Sequence, residues 1–235
     1  MRILPPFVFA TGNVDKAREL MEQLTLATAV AFVAEPIDFN ETTYGFLVAT
    51  VVQRPSIVAP QLEAVPDVAE TGSTLQDNAR IKAEGMCTAT GLTAIADDTG
   101  LHVDALAGRP GVFSARFAGP DATYVENVEL LLSELAKSGA TEPSDRTARF
   151  VTAIHVATCG TEGQTVFGAV EGTIANVAIG DGTFGYDPVF VPSEGDGRTF
   201  AQMTSREKHA LSHRGRAFRS LLEICSIDVE LPNER

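Results

Sequence analysis

The chain has 235 residues, 44% of them hydrophobic, and a formal charge of -13 at pH 7. That length carries one core at the upper end of a single domain, expected over residues 1–235, and the acidic balance excludes general binding to nucleic acid or an anionic membrane, which needs a broad basic surface. Cys87, Cys159 and Cys225 form no C-x-x-C pair and leave an odd count, a pattern that fits reduced thiols in a cytoplasmic protein and argues against structural zinc.

The N-terminal MRILPPFVFATGN holds one basic residue and two prolines, which makes a poor signal peptide. The apolar run from Tyr44 to Val52 has about half the length needed to cross a bilayer. The chain is therefore expected to be soluble.

Phe7 to Ala10 is a short apolar run ending at TGN, after which Ala17, Leu20, Met21 and Leu24 recur at i, i+3, i+4 and i+7. This predicts a strand, a tight turn and an amphipathic helix. Residues 35–70 hold six acids against the single base Arg54 and are either an irregular excursion or an extra hairpin. Leu75, Ala79, Ala83, Met86 and Cys87 repeat the helical spacing, and Gly91 stops the run before the β-like TAIADD, so a helix leads into a strand that ends at the acidic pair. From Arg149 to Val177, two apolar and β-branched stretches flank CGTEGQ and predict a long hairpin, which makes the sheet mixed. Near the C-terminus Thr204 and Glu207 match a capping box, and Ala217, Phe218, Leu221, Leu222 and Cys225 form one stripe on a closing helix.

Gly180, Gly182 and Gly185 spell G-x-G-x-x-G, but a dinucleotide loop must open a helix, and Pro188 with the β-like VFVP follows instead. A glycine-rich turn between strands is the expectation there. In FATGNVDK the amides of a helix start, Thr11, Asn13 and Lys16 can converge on an anion, or Asn13 can serve as an ordinary cap. Asp97 and Asp98, with Glu70 ahead of the preceding helix, are hard oxygen donors of the kind that suits Mg²⁺, or form a solvated acidic turn. Between Arg198 and Arg219 six bases stand against one acid, Glu207, with His209 and His213 among them; this is a positive field for a polyanion or a solvated basic face. His102 and His155 are expected to be packing or surface residues.

Together ATGNVDK, ETGSTLQDNARIKA, IADDTGLHVDALAGRPGVFSARFAG, FGYDPVFVP and SREKHALSHRGRA resemble the inosine triphosphate pyrophosphatase family, in that family's order, over about residues 7 to 225. The resemblance implies an α/β fold with an elongated mixed β-sheet flanked by helices, and two lobes with a substrate cleft between them. It implies Mg²⁺-dependent hydrolysis of ITP, dITP or XTP to the monophosphate and pyrophosphate, usually by a homodimer, with no nucleic-acid or membrane partner. It also implies roles: Thr11, Gly12, Asn13, Lys16 and Lys82 at the phosphates, Glu70 and Asp98 at the metal, and Asp98 as general base. Phe184 would stack on the purine beside Gly185, Tyr186 and Asp187, and Lys208, His213 and Arg214 would approach the base edge or phosphates. Thr99 stands where the family often has serine, Thr183 replaces a frequent glycine, no base precedes Gly180, and segment 35–69 is longer than usual. A Maf-like pyrophosphatase acting on modified pyrimidine nucleotides and a catalytically silent purine-nucleotide sensor are the rival readings.

Overall fold

The computed structural model describes residues 2–3, 6–28, 32–39, 42–50, 70–182, 184–224 and 226–227. Expectations placed on Thr183, on Cys225 and on residues 51–69 fall outside them. In chain order the elements are β1 (Arg2–Ile3), β2 (Phe7–Phe9), α1 (Val14–Thr28), β3 (Phe32–Phe39), β4 (Thr42–Thr50), α2 (Leu75–Thr90), β5 (Ala94–Val103), β6 (Pro110–Gly111), α3 (Tyr124–Ser138), β7 (Thr147–Ala157), β8 (Gln164–Ile174), β9 (Phe190–Pro192), α4 (Ser205–Leu211), α5 (His213–Ile224) and β10 (Ser226–Ile227).

One sheet runs in the order β3-β4-β2-β5-β7-β8-β9, with β6 pairing β5. Its β2–β5 pair is parallel, while β2–β4, β3–β4 and β8–β9 are antiparallel, so the sheet is mixed as expected. The described part of segment 35–69 is an added antiparallel pair, with Glu35 opposite Leu47 and Pro36 opposite Phe46. Proline is tolerated there because β3 is an edge strand that can do without one donor.

The helix predictions follow their stripes. α1 buries Ala17, Leu20 and Leu24. α2 starts at Thr74, whose side chain accepts from the Asp77 amide, and ends at Gly91, which takes the left-handed conformation at φ 71°. A cap of this kind contributes about 1 kcal/mol. α3 lies outside the elements that the spacing predicts. Its signals are local: a Thr123–Glu126 capping box, buried Val128, Leu131 and Leu135, and Gly139 after its end.

The closing helix is two helices. Ser212 ends α4 in an extended conformation, and its hydroxyl accepts from the Gly215 amide at 3.1 Å, capping α5.

β5 also differs from expectation, because it continues five residues past Asp98 to Val103. Flanked by β2 and β7, it is buried nearly throughout, as interior strands of parallel character are. The two carboxylates do not end the strand because lysines meet them there.

The described chain divides into two compact units. One is drawn from Met1–Asp98, Ala153–Val166 and Phe218–Arg235, the other from Thr99–Thr152 and Phe167–Ala217. The first has a core that includes Val8, Ile37, Leu47, Met86, Ala94 and Ala96. The second packs Leu101, Leu131, Phe150, Val189, Phe190 and Phe200 together.

The expectation of reduced thiols is overturned in part, since Cys87 and Cys159 are joined as a disulfide with their Cα atoms 6.0 Å apart. The last turns of α2 and the turn after β7 bring them within bridging range despite a sequence separation of 72. Cysteine usage therefore no longer argues for a reducing compartment. Among the described residues no helix is long and apolar enough to cross a membrane.

Candidate active site

In the first unit, α2 and β5 bring carboxylates and ammonium groups together. Asn78 and Lys82 lie one helical turn apart on α2, and both reach Asp98: Asn78 Nδ2 donates to Oδ2 at 3.2 Å and Lys82 Nζ to Oδ1 at 3.4 Å. Lys82 Nζ also donates to Glu70 Oε1 at 2.9 Å and to the Asp97 carbonyl at 2.8 Å. Asn78 Oδ1 accepts from the Gly72 amide at 2.8 Å, which ties the segment after Glu70 to the helix. Lys16, from α1, sits 3.1 Å from the Asp97 carboxylate, which is 1% exposed. The acidic pair is thus buried and ion-paired, not a solvated turn.

This arrangement moves two pKa values. Burial is the largest influence on Asp98 and raises it; Lys82 pulls it down, Glu70 pushes it up, Lys16 and the Asn78 bond pull it down, and the balance is a raised value. For Lys82 burial is again the largest single influence and works downward. The carboxylates of Asp98, Glu70 and Asp97 together outweigh it, so the ammonium is held more firmly than a free lysine's.

Thr11 and Asn13 are placed at the start of α1, where their side chains meet the chain's own amides. Thr11 Oγ1 accepts from the Asn13 amide at 3.1 Å, and Asn13 Oδ1 accepts from the amides of Asp15 and Lys16 at 2.9 and 3.2 Å. Gly12 is required by crowding, because a Cβ there would lie 2.8 Å from the Thr43 carbonyl oxygen.

In the second unit a set of polar and aromatic side chains gathers around Phe184. Lys208 Nζ lies 4.8 Å and Arg214 Cζ 5.6 Å from the centre of the Phe184 ring, distances at which a cation is attracted to the ring. Lys208 donates to Asp187 Oδ2 at 2.6 Å in a buried pair. Arg214 reaches Thr99 Oγ1 at 3.4 Å, and Thr99 is bonded to Thr152 at 2.7 Å. His213 stacks on Phe150 with centroids 4.4 Å apart. Tyr186 is in the core, its hydroxyl donating to the Ser114 carbonyl at 2.9 Å, and burial raises its pKa. Gly185 takes φ 55°, turning the chain between Phe184 and Tyr186. Gly180 and Gly182 pack on Ala201, and the described residues from Phe184 onward turn into β9 without a helix. The dinucleotide pattern is therefore incidental, and the two glycines are needed for close approach to Ala201.

The Ham1 family model matches residues 7–224. The chain belongs to the Ham1 family. This Ham1 chain is 45% identical over 160 residues to a dITP/XTP pyrophosphatase of Streptomyces coelicolor, covering 68% of the chain and 78% of that relative. It is 46% identical over 160 residues to a dITP/XTP pyrophosphatase of Streptococcus thermophilus, and spans 48% of that longer protein. Among solved structures, a HAM1 protein from Coxiella burnetii matches with a TM-score of 0.69 at 32% identity, covering 95% of this chain and 98% of that one. The nucleoside-triphosphatase / dITP/XTP pyrophosphatase of Mycobacterium abscessus matches with a TM-score of 0.61 at 38% identity, covering 94% and 99%. The α/β fold with one large mixed sheet is that of the Ham1 structures.

Three site neighbours of the Ham1 chain carry more than the sequence reading assigned them. Asp97 holds Lys16, Asn78 holds both Asp98 and the backbone after Glu70, and Tyr124 packs its ring near-perpendicular to Phe184 at 5.5 Å between centroids. Helical spacing points to Asn78, while nothing short-range in the sequence connects Tyr124 with Phe184.

Glu70 and Asp98 fit a hard divalent cation. Both meet the same ammonium group, so their oxygens converge, and two carboxylates are the number Mg²⁺ takes when water and ligand phosphate complete its shell. Among the described residues no group of three or more His, Cys, Asp and Glu side chains is placed to hold a metal.

Proposed function

We propose that this Ham1 chain hydrolyses non-standard purine nucleoside triphosphates, ITP, dITP and XTP, to the monophosphate and pyrophosphate, with Mg²⁺, and so clears them from the nucleotide pool. It is a hydrolase of the triphosphate anhydride bond. The observation that carries the reading is Asp98: a buried carboxylate held from two sides by Asn78 and Lys82, beside Glu70, with its proton affinity raised. A carboxylate so held suits general base catalysis.

In the proposed reaction a water oxygen attacks the α-phosphorus, the bond to the bridging oxygen of the departing pyrophosphate breaks, and Asp98 takes the water's proton. Lys16 and Lys82 stabilise negative charge that grows on the phosphate oxygens, and the turn of Thr11, Gly12 and Asn13 carries Lys16 to them. Asp97 keeps Lys16 aimed, as their buried ion pair indicates. When bound at Glu70 and Asp98, Mg²⁺ would supply positive charge to the triphosphate and lower the cost of expelling pyrophosphate.

The base is assigned to the Phe184 set. Stacking on Phe184 contributes about 1–3 kcal/mol and does not choose among bases. Choice comes from the donors Lys208 and Arg214, because the 6-oxo group of hypoxanthine or xanthine accepts a hydrogen bond. Adenine presents an amino donor to those cations instead and forgoes that hydrogen bond, at about 1–3 kcal/mol. His213, stacked on Phe150, and Asp187, paired with Lys208, fix these donors. A homodimer and a cytoplasmic location belong to the same proposal and rest on the family resemblance.

A panel of nucleotides tests the reading. ITP, XTP and dITP should yield monophosphate and pyrophosphate at rates well above ATP, CTP and UTP, and only with Mg²⁺ present. Orthophosphate as the direct product, or preference for a pyrimidine, would contradict it.

A further inference from the structure

The Phe184 ring needs a support that does not depend on the nucleotide. Its chain neighbours are permissive: Gly182 lies two residues before it, and Gly185 after it takes φ 55°. Lys208 and Arg214 meet the ring through their charged ends. Under the proposed function these are the groups that turn to the purine edge and phosphates, so their hold on the ring weakens when the ligand arrives. Tyr124 is different in kind. It meets Phe184 through an edge-on aromatic contact, centroids 5.5 Å apart and planes at 77°, a favoured arrangement for two rings.

Tyr124 is also anchored. It is the first residue of α3, inside the capping box in which Thr123 and Glu126 bond each other's backbone amides. One turn further, the Asn127 side chain accepts from the Ala118 amide at 2.8 Å and donates to the Ala115 carbonyl at 3.1 Å, both in the stretch leading to the helix. Val128, Leu131 and Leu135 then fix α3 in the core. A rigid helix start thus presents one ring to a turn rich in glycine.

We infer that Tyr124 is a positioning residue for purine binding: its ring sets the orientation of Phe184, and thereby the affinity for the base, without touching the reacting phosphates. This rests on the proposed function, and it adds a residue that reading does not include. Because the contact is ring on ring, phenylalanine should replace tyrosine and alanine should not.

The test compares wild type with Tyr124→Ala and Tyr124→Phe. The readouts are KM and kcat for ITP, the Kd for IMP by calorimetry, and the Kd for inorganic pyrophosphate, which has no base. Tyr124→Ala should raise KM for ITP and Kd for IMP about 2- to 12-fold, the range that an aromatic pair confers. Its kcat should stay within about twofold, its Kd for pyrophosphate should not change, and Tyr124→Phe should restore wild-type values. Unchanged IMP affinity in Tyr124→Ala, an equal loss of pyrophosphate affinity, or a Phe variant as impaired as the Ala variant would overturn the inference. Wild-type protein that binds IMP but does not split ITP would overturn the proposed function and leave the Tyr124 comparison decided by IMP. Wild type that does neither would overturn both.

Discussion

Burial, with Glu70 beside it, raises the Asp98 carboxyl above a free aspartate's against the downward pull of Lys82, Lys16 and the Asn78 bond. Asp98→Asn keeps the shape and the Asn78 contact site but removes the basic oxygen, so turnover should fall by about 10²-fold or more, in the range for lost general base catalysis. Steady-state assays beside a thermal melt check this; a folded variant with near-normal activity would remove Asp98 from the role. Lys16 supports a different expectation. Lys16→Met takes the ammonium away from the buried Asp97 carboxylate, which should cost on the order of 3 kcal/mol in denaturant unfolding. A loss below about 1 kcal/mol would mean that Asp97 is held well enough by its other contacts. At this scale the sequence disclosed residue types well, because Glu70, Asp98, Lys82 and Lys16 stand in recognisable local patterns and do come together. It did not disclose what closes them in: whether Asp97 was solvated depended on the lysine of another helix, and Tyr124 meets Phe184 only through the fold.

Helices and strands set these positions, and two of them invite direct tests. At the start of α4, Glu207 accepts from the Thr204 amide and hydroxyl at 2.8 Å and pairs with Arg198. The Arg198 bond first, then those from Thr204, lower its pKa to about 2 from the ordinary 4.5. The folded value lies below the unfolded one, so the stabilisation is present above pH 4.5 and is lost as pH falls toward about 2. The difference in Tm between wild type and Glu207→Gln should therefore be open at pH 7, close across that window, and narrow in high salt. A gap that persists at pH 2 would contradict the assignment. On β8, a side chain at Gly168 would collide with the His213 carbonyl oxygen and the Ala217 amide of α5. Gly168→Ala should lose about 1–3 kcal/mol, the usual cost of overpacking, and should raise KM for ITP because it displaces the helix that carries Arg214. Equal stability to wild type would show that α5 gives way freely. Periodicity disclosed α1 and α2, since each buries one clear stripe, and the apolar, β-branched stretches disclosed β7 and β8, although only β8 alternates along most of its length. It missed the Ser212 break because the stripe on α5 runs on smoothly after it, and it ended β5 early because two adjacent carboxylates look like a turn until their partners are known.

For the whole molecule the formal charge of -13 is compatible with a polyanionic substrate only if cations are held where they act. Three of the six bases between Arg198 and Arg219 are paired with acids: Arg198 with Asp196 and Glu207, Arg216 with Glu194, and Lys208 with Asp187. Its value is placement of individual donors around Phe184, not a general positive field. The fold class was legible because alternating strand and helix patterns with one long hairpin leave few arrangements for a mixed sheet. The disulfide was not, since the proximity of Cys87 and Cys159 depends on packing between α2 and the turn after β7. The central claim is attack at the α-phosphorus of a purine triphosphate. Hydrolysis of ITP in ¹⁸O-labelled water, with products resolved by mass spectrometry, tests it most directly. The account predicts one labelled oxygen in IMP and none in the pyrophosphate; label in pyrophosphate or orthophosphate, with IMP unlabelled, would contradict it.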